Sequence, residues 1–236
     1  MTARYSLADV AALIGEPTRA AMLLGLLDGR SLTAGELARL ADLSAPATSL
    51  HLGKLARGGL VVVHKAGRHR HYRLASRDVA HALEALGVIS TAACAAASAV
   101  RPRSPAHAAL RAARTCYDHL AGVLAIELAD GFERARILEI GGDDHYRVTR
   151  AGDQWFGDAL AIDVAALSAE RRPLARRCLD WTERRPHLAG ALGAAILDCF
   201  LARRWVERGD SRALRITRQG TAAIAKLVPG ARSVRR

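Results

Sequence analysis

Residues 34–57 have a helical period of apolar and polar positions, which then changes to one typical of strands. A first helix is predicted from Ala34 to about Ala41. Three of its apolar residues lie at positions i, i+3 and i+4 and should share one buried face: Leu37, Leu40 and Ala41. Thr33 precedes the helix and Glu36 follows three residues later, which is the spacing of a capping box.

A second helix is predicted to follow a short break and to continue to about Arg57. Ser44 is placed to cap it, and Pro46 lies in the first turn, where a missing amide hydrogen has no cost. The helical period gives it an inward stripe of Thr48, Leu52 and Leu55. The outward positions are small, polar or basic apart from one leucine: Ser49, Leu50, Gly53, Lys54 and Arg57.

The segment after this helix predicts a β-hairpin with a basic tip. Residues 58–60, Gly-Gly-Leu, end the helix, and two β-rich runs follow on either side of Gly67. The tip carries Lys65, Arg68, His69, Arg70 and His71. Such a cluster contacts phosphates irrespective of sequence, whereas the preceding helix would supply base specificity.

Two helices followed by a hairpin predict a winged helix-turn-helix that binds double-stranded DNA. The candidate DNA-binding residues come from the second helix and the wing: Ser44, Pro46, Ser49, Leu50, His51, Lys54, Arg57, Lys65, Arg68, His69 and Arg70. A protein-binding winged domain with a solvated wing is the alternative. The sequence favours DNA.

These residues carry a resemblance to the ArsR/SmtB family of winged-helix repressors, which covers about the first 95–100 residues. The family's reading helix typically has a Ser, then His-Leu, then a Leu three positions on, matched here by Ser49, His51, Leu52 and Leu55. The resemblance implies a homodimeric repressor released by an inducer or a metal.

The chain departs from the metal-sensing members of that family. The stretch GELARLADLS in the first reading helix contains no cysteine, unlike the ligand motif of those members. For the family's second metal site the only match is Asp78, His81 and Glu84, which a solvated helix start explains equally well.

The charge balance points to a polyanionic partner. The chain has 35 Lys and Arg against 23 Asp and Glu, a formal net charge of +12. It has no uninterrupted apolar stretch long enough to span a bilayer, and residues 1–10 lack a signal-peptide core. We therefore expect a cytoplasmic protein with no membrane partner.

The length predicts two domains. Residues 1–100 would form the DNA-binding domain, ending in a long helix of small residues from 77 to 100 that is our candidate dimer seam; a connector without a partner is the alternative. A proline-containing linker follows at 101–106, then a domain at 107–230 and a basic tail at 231–236 that adds non-specific phosphate contacts.

The second half contains an internal repeat. The segments that begin at His119 and His187 align without a gap at an offset of 68, with 14 identities in 38 positions. Each copy, about 116–160 and 178–228, predicts a helix of about eighteen residues, a strand, a turn, a strand ending in Thr and a helix begun near Thr-x-x-Gly. The fold class is therefore mainly α with small β-hairpins (α+β), with two winged-helix-like repeats packed about a pseudo-twofold.

A cysteine lies upstream of the shared histidine in each copy. Cys116, His119, Cys178 and His187 would make a site for a soft metal ion or a thiol-reactive effector if the pseudo-symmetry brings them together. Shared capping and packing needs explain the same residues. The spacing is three residues in one copy and nine in the other, which predicts that the two halves are not equivalent.

The remaining polar features do not predict catalysis. The motifs GxSxG, HExxH, GxxxxGK and GxGxxG are absent, and Asp143 and Asp144 are expected to be turn formers. The arginine-rich stretch at 171–185 suits an anionic effector, flanking DNA or a solvated face with ion pairs. A transcriptional regulator without enzyme activity is therefore expected; the alternatives are a ligand-modifying enzyme domain fused to a DNA-binding module and an architectural DNA-binding protein without an inducer.

Overall fold

The computed structural model describes residues 6–67, 69–97, 105–142, 144–209 and 212–227, without the side chains of 91–97 and 105–107. Arg68, Asp143, most of the predicted 101–106 linker and the predicted 231–236 tail lie outside the described residues. The chain divides into two compact units, Met1–Glu84 and Ala85–Arg236. The division falls inside a long helix and before the linker that the sequence predicted.

The first unit contains a helical layer and a three-stranded sheet. Its elements are α1 (Leu7–Ile14), α2 (Pro17–Gly25), β1 (Leu32–Thr33), α3 (Ala34–Ala41), α4 (Ala45–Arg57), β2 (Val61–Ala66), β3 (His69–Leu74) and the start of α5 (Arg77–Ala97). The strand order is β1-β3-β2, and both pairings are antiparallel. The predicted helix pair and hairpin are confirmed.

Local chemistry explains where these helices begin. The Thr33 hydroxyl accepts from the Glu36 amide at 3.3 Å, and the Glu36 carboxylate accepts from the Thr33 amide at 2.7 Å, so the predicted capping box is confirmed. Ser44 occupies the N-cap of α4, but its side chain makes no capping hydrogen bond, contrary to the prediction. Pro46 in the first turn supplies the helical start instead.

The buried face of the helix pair differs from the prediction at one residue. Leu37, Leu52 and Leu55 are almost fully buried, and so is Thr48. Leu40, predicted to face inward, is 52% exposed and lies against the edge of α2, where a Cβ on Gly25 would come within 2.8 Å of Leu40 Cδ1. Helix α3 packs on both α2 and α4, and these contacts leave Leu40 half exposed.

The second unit repeats one series of elements twice. The first series is α6 (Pro105–Ala112), β4 (Arg114–Cys116), β5 (His119–Ala121), α7 (Val123–Arg134), β6 (Leu138–Ile140), β7 (Tyr146–Val148) and α8 (Arg150–Trp155), the last continued by a π-helical turn at Phe156–Leu160. The second is α9 (Val164–Ser168), β8 (Arg176–Leu179), β9 (Pro186–Ala189), α10 (Gly190–Ala202), β10 (Val206–Arg208), β11 (Leu214–Ile216) and α11 (Arg218–Leu227).

The predicted element order holds, but the first helix of each copy is shorter than eighteen residues. His119–Ala121 and the matching end of β9 are strands, and the helices that follow have 12 and 13 residues. The reason is a glycine at which the chain turns: Gly122 and Gly190 have φ values of +83° and +85°, which L side chains rarely adopt.

The shared Thr-x-x-Gly motif has the same structure in both copies. The Thr149 hydroxyl accepts from the Gly152 amide at 2.9 Å, and the Thr217 hydroxyl accepts from the Gly220 amide at 2.9 Å. A Cβ on either glycine would lie about 2 Å from a backbone carbonyl oxygen of the preceding strand region, at 2.1 and 1.9 Å. Each motif therefore caps one helix and lets it approach the hairpin closely.

The two copies exchange contacts reciprocally. Helix α7 packs on β9, and α10 packs on β5. The Tyr146 amide donates to the Ala175 carbonyl at 2.8 Å, and the Leu214 amide donates to the Ala113 carbonyl at 2.9 Å, so each copy's outer hairpin adjoins the other copy's first strand. Phe132 and Phe200 are buried in one shared core. Each repeat thus covers apolar surface that the other leaves open.

Candidate nucleic-acid interface and candidate metal centre

Helix α4 presents an exposed face of mixed character. Ser49, Lys54 and Arg57 are exposed, and Leu50 is 56% exposed, while the opposite face is buried against the first unit. Ser44 and Pro46 are also exposed at the amino end of the helix. The predicted division of α4 into an inward and an outward face is confirmed; the contacts of these residues with DNA stay a prediction.

His51 is placed differently from the other residues proposed to read DNA. Its side chain is 19% exposed, and its Nδ1 lies 3.3 Å from Glu16 Oε2. Glu16 also caps α2, because its carboxylate accepts from the amides of Thr18 and Arg19 at 3.1 and 2.9 Å. His51 therefore lies beside an acid of its own unit, although its Nδ1 makes no hydrogen bond with any described residue.

The wing carries like charges on facing positions. Lys65 and Arg70 are direct cross-strand partners at its tip, and both are exposed, as is His69. His64 and His71 form the next pair, with ring centroids 5.4 Å apart in a stacked arrangement. Like charges directly opposite each other destabilise a sheet slightly. A polyanion along this tip would relieve that repulsion.

In the second unit, the four predicted ligands converge on one point. Their potential ligand atoms all lie within 4.8 Å of one another. The sulfur atoms of Cys116 and Cys178 are 3.9 Å apart, and Nε2 of His119 is 3.1 Å from Nε2 of His187. Cys116 and both histidines are fully buried. In the described part of the chain, Asp78, His81 and Glu84 form no such group.

The expectation that the two half-sites are not equivalent is wrong. Cys116 pairs directly with His119 across β4 and β5, and Cys178 pairs directly with His187 across β8 and β9. The unequal spacing reflects six extra residues between the paired cysteine and histidine of the second hairpin, which form a longer turn and one more strand pair and not a different register. Both hairpins therefore present a Cys-His pair from adjacent strands.

Each histidine has a carboxylate on the side away from the cluster. Asp118 Oδ1 lies 3.3 Å from His119 Nδ1, and Asp180 Oδ2 lies 3.8 Å from His187 Nδ1. The His187 Nδ1 is buried without a hydrogen-bond partner. Both acids come two residues after the cluster cysteines, a signal visible in the sequence, although their role depends on the hairpin geometry.

These carboxylates are held in turn by arginines. Arg172 Nη1 lies 3.3 Å from Asp118 Oδ2, and Arg114 Nη2 donates to Asp180 Oδ2 at 2.9 Å. The role of Arg114 could not be predicted from the sequence, because no local pattern distinguishes a buried arginine. Its side chain is fully buried and lies over the Trp181 ring at 4.9 Å.

The electrostatics of the cluster favour an ionised sulfur. A hydrogen bond from Cys116 lowers the pKa of the Cys178 thiol well below its usual range against the opposing effect of burial, and both histidines act in the same direction. Burial alone would lower the pKa of His119, but Asp118 and Cys178 outweigh it and raise that pKa to about 9. The thiolate is the form that binds metals and reacts with electrophiles.

The arginine-rich stretch is occupied by contacts within the second unit. Arg185 donates to Asp130 at 2.7 and 2.9 Å, and Glu183 accepts from Arg111 at 2.6 and 2.9 Å. Arg177 lies over the Tyr146 ring at 5.6 Å. Ion pairs and a ring contact within the fold therefore engage part of this stretch.

A helix pair with an exposed second helix and a basic wing defines the class of winged helix-turn-helix DNA-binding proteins. A family model described as a helix-turn-helix domain matches residues 14–64. The HTH-type transcriptional regulator YdfF of Bacillus subtilis (strain 168) is 40% identical over 223 residues, covering 94% of this chain and 96% of its own. The chain therefore belongs to the family of HTH-type transcriptional regulators that includes YdfF.

Similar solved structures cover between a third and two fifths of this chain. HlyU from Vibrio cholerae N16961 is 33% identical over 35% of this chain and 88% of its own, with a TM-score of 0.33. Mb0332 from Mycobacterium bovis is described as a homodimeric winged helix-turn-helix DNA-binding domain and a possible ArsR-family regulator. It is 23% identical over 39% of this chain and 91% of its own, with a TM-score of 0.34. Within the described residues, no helix is both long and apolar enough to cross a bilayer.

Proposed function

We propose that this regulator is a dimeric repressor that places α4 of each protomer in the major groove of a palindromic operator. The observation that carries the proposal is the exposed face of α4, on which Ser49, Leu50 and Lys54 are accessible. The opposite face is anchored in the unit by the buried side chains of Thr48, Leu52 and Leu55. Serine and lysine can hydrogen-bond base edges, and leucine can contact a thymine methyl group.

The wing supplies the sequence-independent part of the affinity. Lys65 and Arg70 face each other at its exposed tip, and Arg68 lies in the same turn of the sequence. Their charges would neutralise phosphates and release counterions, so binding should weaken as salt rises. Arg57, exposed at the end of α4, would contact the backbone beside the groove.

Unpartnered apolar surface on the flanking helices supports a dimer. Seven of the eight residues of α1 are apolar, yet none of its residues, all described, is buried, and Leu7 is 86% exposed. In the second unit, Leu86 and Ile89 on α5 are separately 44% and 65% exposed. A second copy that covered the apolar face of α1 would set two α4 helices about 34 Å apart, one turn of B-DNA.

Control by an effector would reside in the second unit. This unit has its own core and holds the cluster of Cys116, His119, Cys178 and His187. DNA binding through α4 and the wing requires neither the core nor the cluster. A ligand there would release DNA to the extent that it favours a state in which the two α4 helices no longer match the operator.

The first experiment selects bound sequences from random duplexes and measures the affinity of the full chain for the selected DNA. Lys54→Ala should weaken binding about tenfold or more. Lys226→Ala is the matched control, because Lys226 is also exposed but lies on α11. Equal affinity for selected and random duplexes would instead support an architectural protein, and an unchanged affinity of Lys54→Ala would remove α4 from the interface.

A second experiment tests the dimer and the release. Leu7→Lys should shift the protein toward a monomer in sedimentation and weaken binding to a two-half-site operator far more than to one half-site. Metals and metabolites are then screened for release of the native protein from the selected DNA. An unaltered dimer in Leu7→Lys would contradict the role of α1.

A further inference from the structure

We propose that Cys116, His119, Cys178 and His187 form a closed tetrahedral site for one zinc ion, which joins the two repeats of the second unit. This inference does not depend on DNA binding by the first unit. Zinc prefers four ligands of this kind, with bonds of about 2.3 Å to sulfur and about 2.0–2.1 Å to nitrogen. A regular tetrahedron with those bonds has a sulfur–sulfur edge of about 3.8 Å and a nitrogen–nitrogen edge of about 3.3 Å.

The sulfur–sulfur and nitrogen–nitrogen edges match that tetrahedron within a few tenths of an ångström. The sulfurs are 3.9 Å apart, and the two Nε2 atoms are 3.1 Å apart. A disulfide would require about 2.05 Å between the sulfurs. All four ligand atoms lie within 4.8 Å of one another, so a single ion can reach them all.

The surroundings of the imidazoles also suit a metal. A histidine that ligates through Nε2 carries its proton on Nδ1 and usually donates it to a carboxylate or carbonyl. Nδ1 of His119 faces Asp118 at 3.3 Å, and Nδ1 of His187 faces Asp180 at 3.8 Å. Both histidines therefore turn Nε2 toward the cluster and Nδ1 toward an acid.

Charge balance favours a divalent ion. The two acids next to the histidines are already compensated by Arg172 and Arg114. The cluster itself then contributes two thiolates and two neutral imidazoles, whose charge a divalent cation cancels. A monovalent soft ion such as Cu⁺ would leave a net negative charge in a site with three fully buried ligands, which is costly.

The position of the site implies a structural role. One ligand pair comes from the hairpin of β4 and β5, and the other comes from the hairpin of β8 and β9. The two cysteines are 62 residues apart in the chain. Four protein ligands leave no open coordination position, as in structural zinc sites. Because the ligands converge only when both hairpins are packed, ion binding is coupled to the folding of this unit.

The direct test measures metal in the native full-length protein. Purified under reducing conditions, it should contain one zinc ion per chain. After zinc is removed with a chelator, titration with Co²⁺ should give visible bands of tetrahedral cobalt with thiolate charge transfer, saturating at one equivalent and displaced by Zn²⁺. No zinc and no such spectrum, or a Cys116–Cys178 disulfide as the isolated form, would overturn the proposal.

Variants separate the site from general effects of thiol loss. Cys116→Ser and Cys178→Ser should each lose the cobalt charge-transfer bands and most of the zinc. Cys199→Ser should keep both, because the Cys199 sulfur contacts the Leu160 carbonyl at 3.5 Å and lies outside the cluster. Chelation should lower the melting temperature of the native protein by about 10 °C or more and leave the melting temperature of Cys116→Ser unchanged. An equal fall in the melting temperatures of both proteins would count against the site. The cobalt titration of native protein decides the matter if a variant does not fold.

Discussion

Arg114 donates a hydrogen bond to Asp180 over 2.9 Å, and both side chains are fully buried. Asp180 also accepts from the amide of Gly122 at 2.7 Å, at the start of α7, and from Thr182 on its other oxygen at 2.7 and 2.8 Å. Burial alone would raise the pKa of Asp180, but Arg114 and these donors lower it to about 2. The pair therefore holds the hairpin of β8 and β9 against the first repeat.

Removal of one partner should destabilise the second unit strongly. Arg114→Met leaves the Asp180 carboxylate buried without its charge partner, and we expect a loss of about 3–5 kcal/mol in the free energy of unfolding. The control is Arg111→Ala, which breaks the more exposed pair with Glu183 and should cost about 1 kcal/mol or less. Chemical denaturation followed by Trp fluorescence measures both. Equal losses would show that burial does not set the strength of these pairs.

The Thr-x-x-Gly motifs should be equally intolerant of a side chain. Gly152→Ala and Gly220→Ala each place a Cβ about 2 Å from a backbone carbonyl, which no rotamer change can relieve, so each should cost about 3 kcal/mol or more. Gly157→Ala is the control, since a Cβ there meets nothing within 4 Å. Thermal melts of the three variants test this. A mild effect at only one motif would contradict the structural equivalence of the repeats.

The stability that Glu16 provides should be lost in acid. Burial opposes the shift, but hydrogen bonds from the Arg19 and Thr18 amides lower the pKa of Glu16 to about 2 from 4.5. A group with a lower pKa in the folded state stabilises above its unfolded pKa and loses that contribution as pH falls through the folded pKa. The difference in melting temperature between native protein and Glu16→Gln should therefore shrink as pH falls from about 5 toward 2. A constant difference would argue against this capping role.

The wing should account for part of the salt dependence of DNA binding. Each phosphate contact contributes about −0.9 to the slope of log affinity against log salt. Lys65→Ala and Arg70→Ala together should make the slope less steep by about 1.8 units, with similar losses on selected and random DNA. Arg218→Ala removes an exposed charge from the second unit and should leave the slope unchanged. A loss confined to the selected DNA would mean that the wing reads bases.

Features encoded by neighbouring residues were predictable from the sequence. The capping box of Thr33 and Glu36, the buried stripe of α4 and the hairpin around Gly67 all follow from short-range spacing. The repeats were visible because the same local needs recur: Thr149 and Thr217 cap equivalent helices, and the backbone at Arg136 and Arg204 has the same left-handed φ of 54° and 53°.

Other features depended on packing partners that spacing does not specify. Leu40 has the helical period of a core residue but is half exposed, because the packing of α3 on α2 and α4 does not cover it. The apolar period predicts helix at His119 and His187, where the structure has strands. The turn at the following glycine depends on a backbone angle, which the apolar period does not specify.

The sequence by itself determined the order of elements, helix α4 and the basic hairpin, because each depends on contacts between residues a few positions apart. It also determined the duplication, because the two repeats align with each other at an offset of 68. Only the tertiary structure decided that Cys116 and His119 meet Cys178 and His187, with acids and arginines behind them. Those contacts link residues 62 and 68 positions apart. They form because the two hairpins keep the same pairing register although their turns differ in length, and because the helix of each repeat packs on a strand of the other.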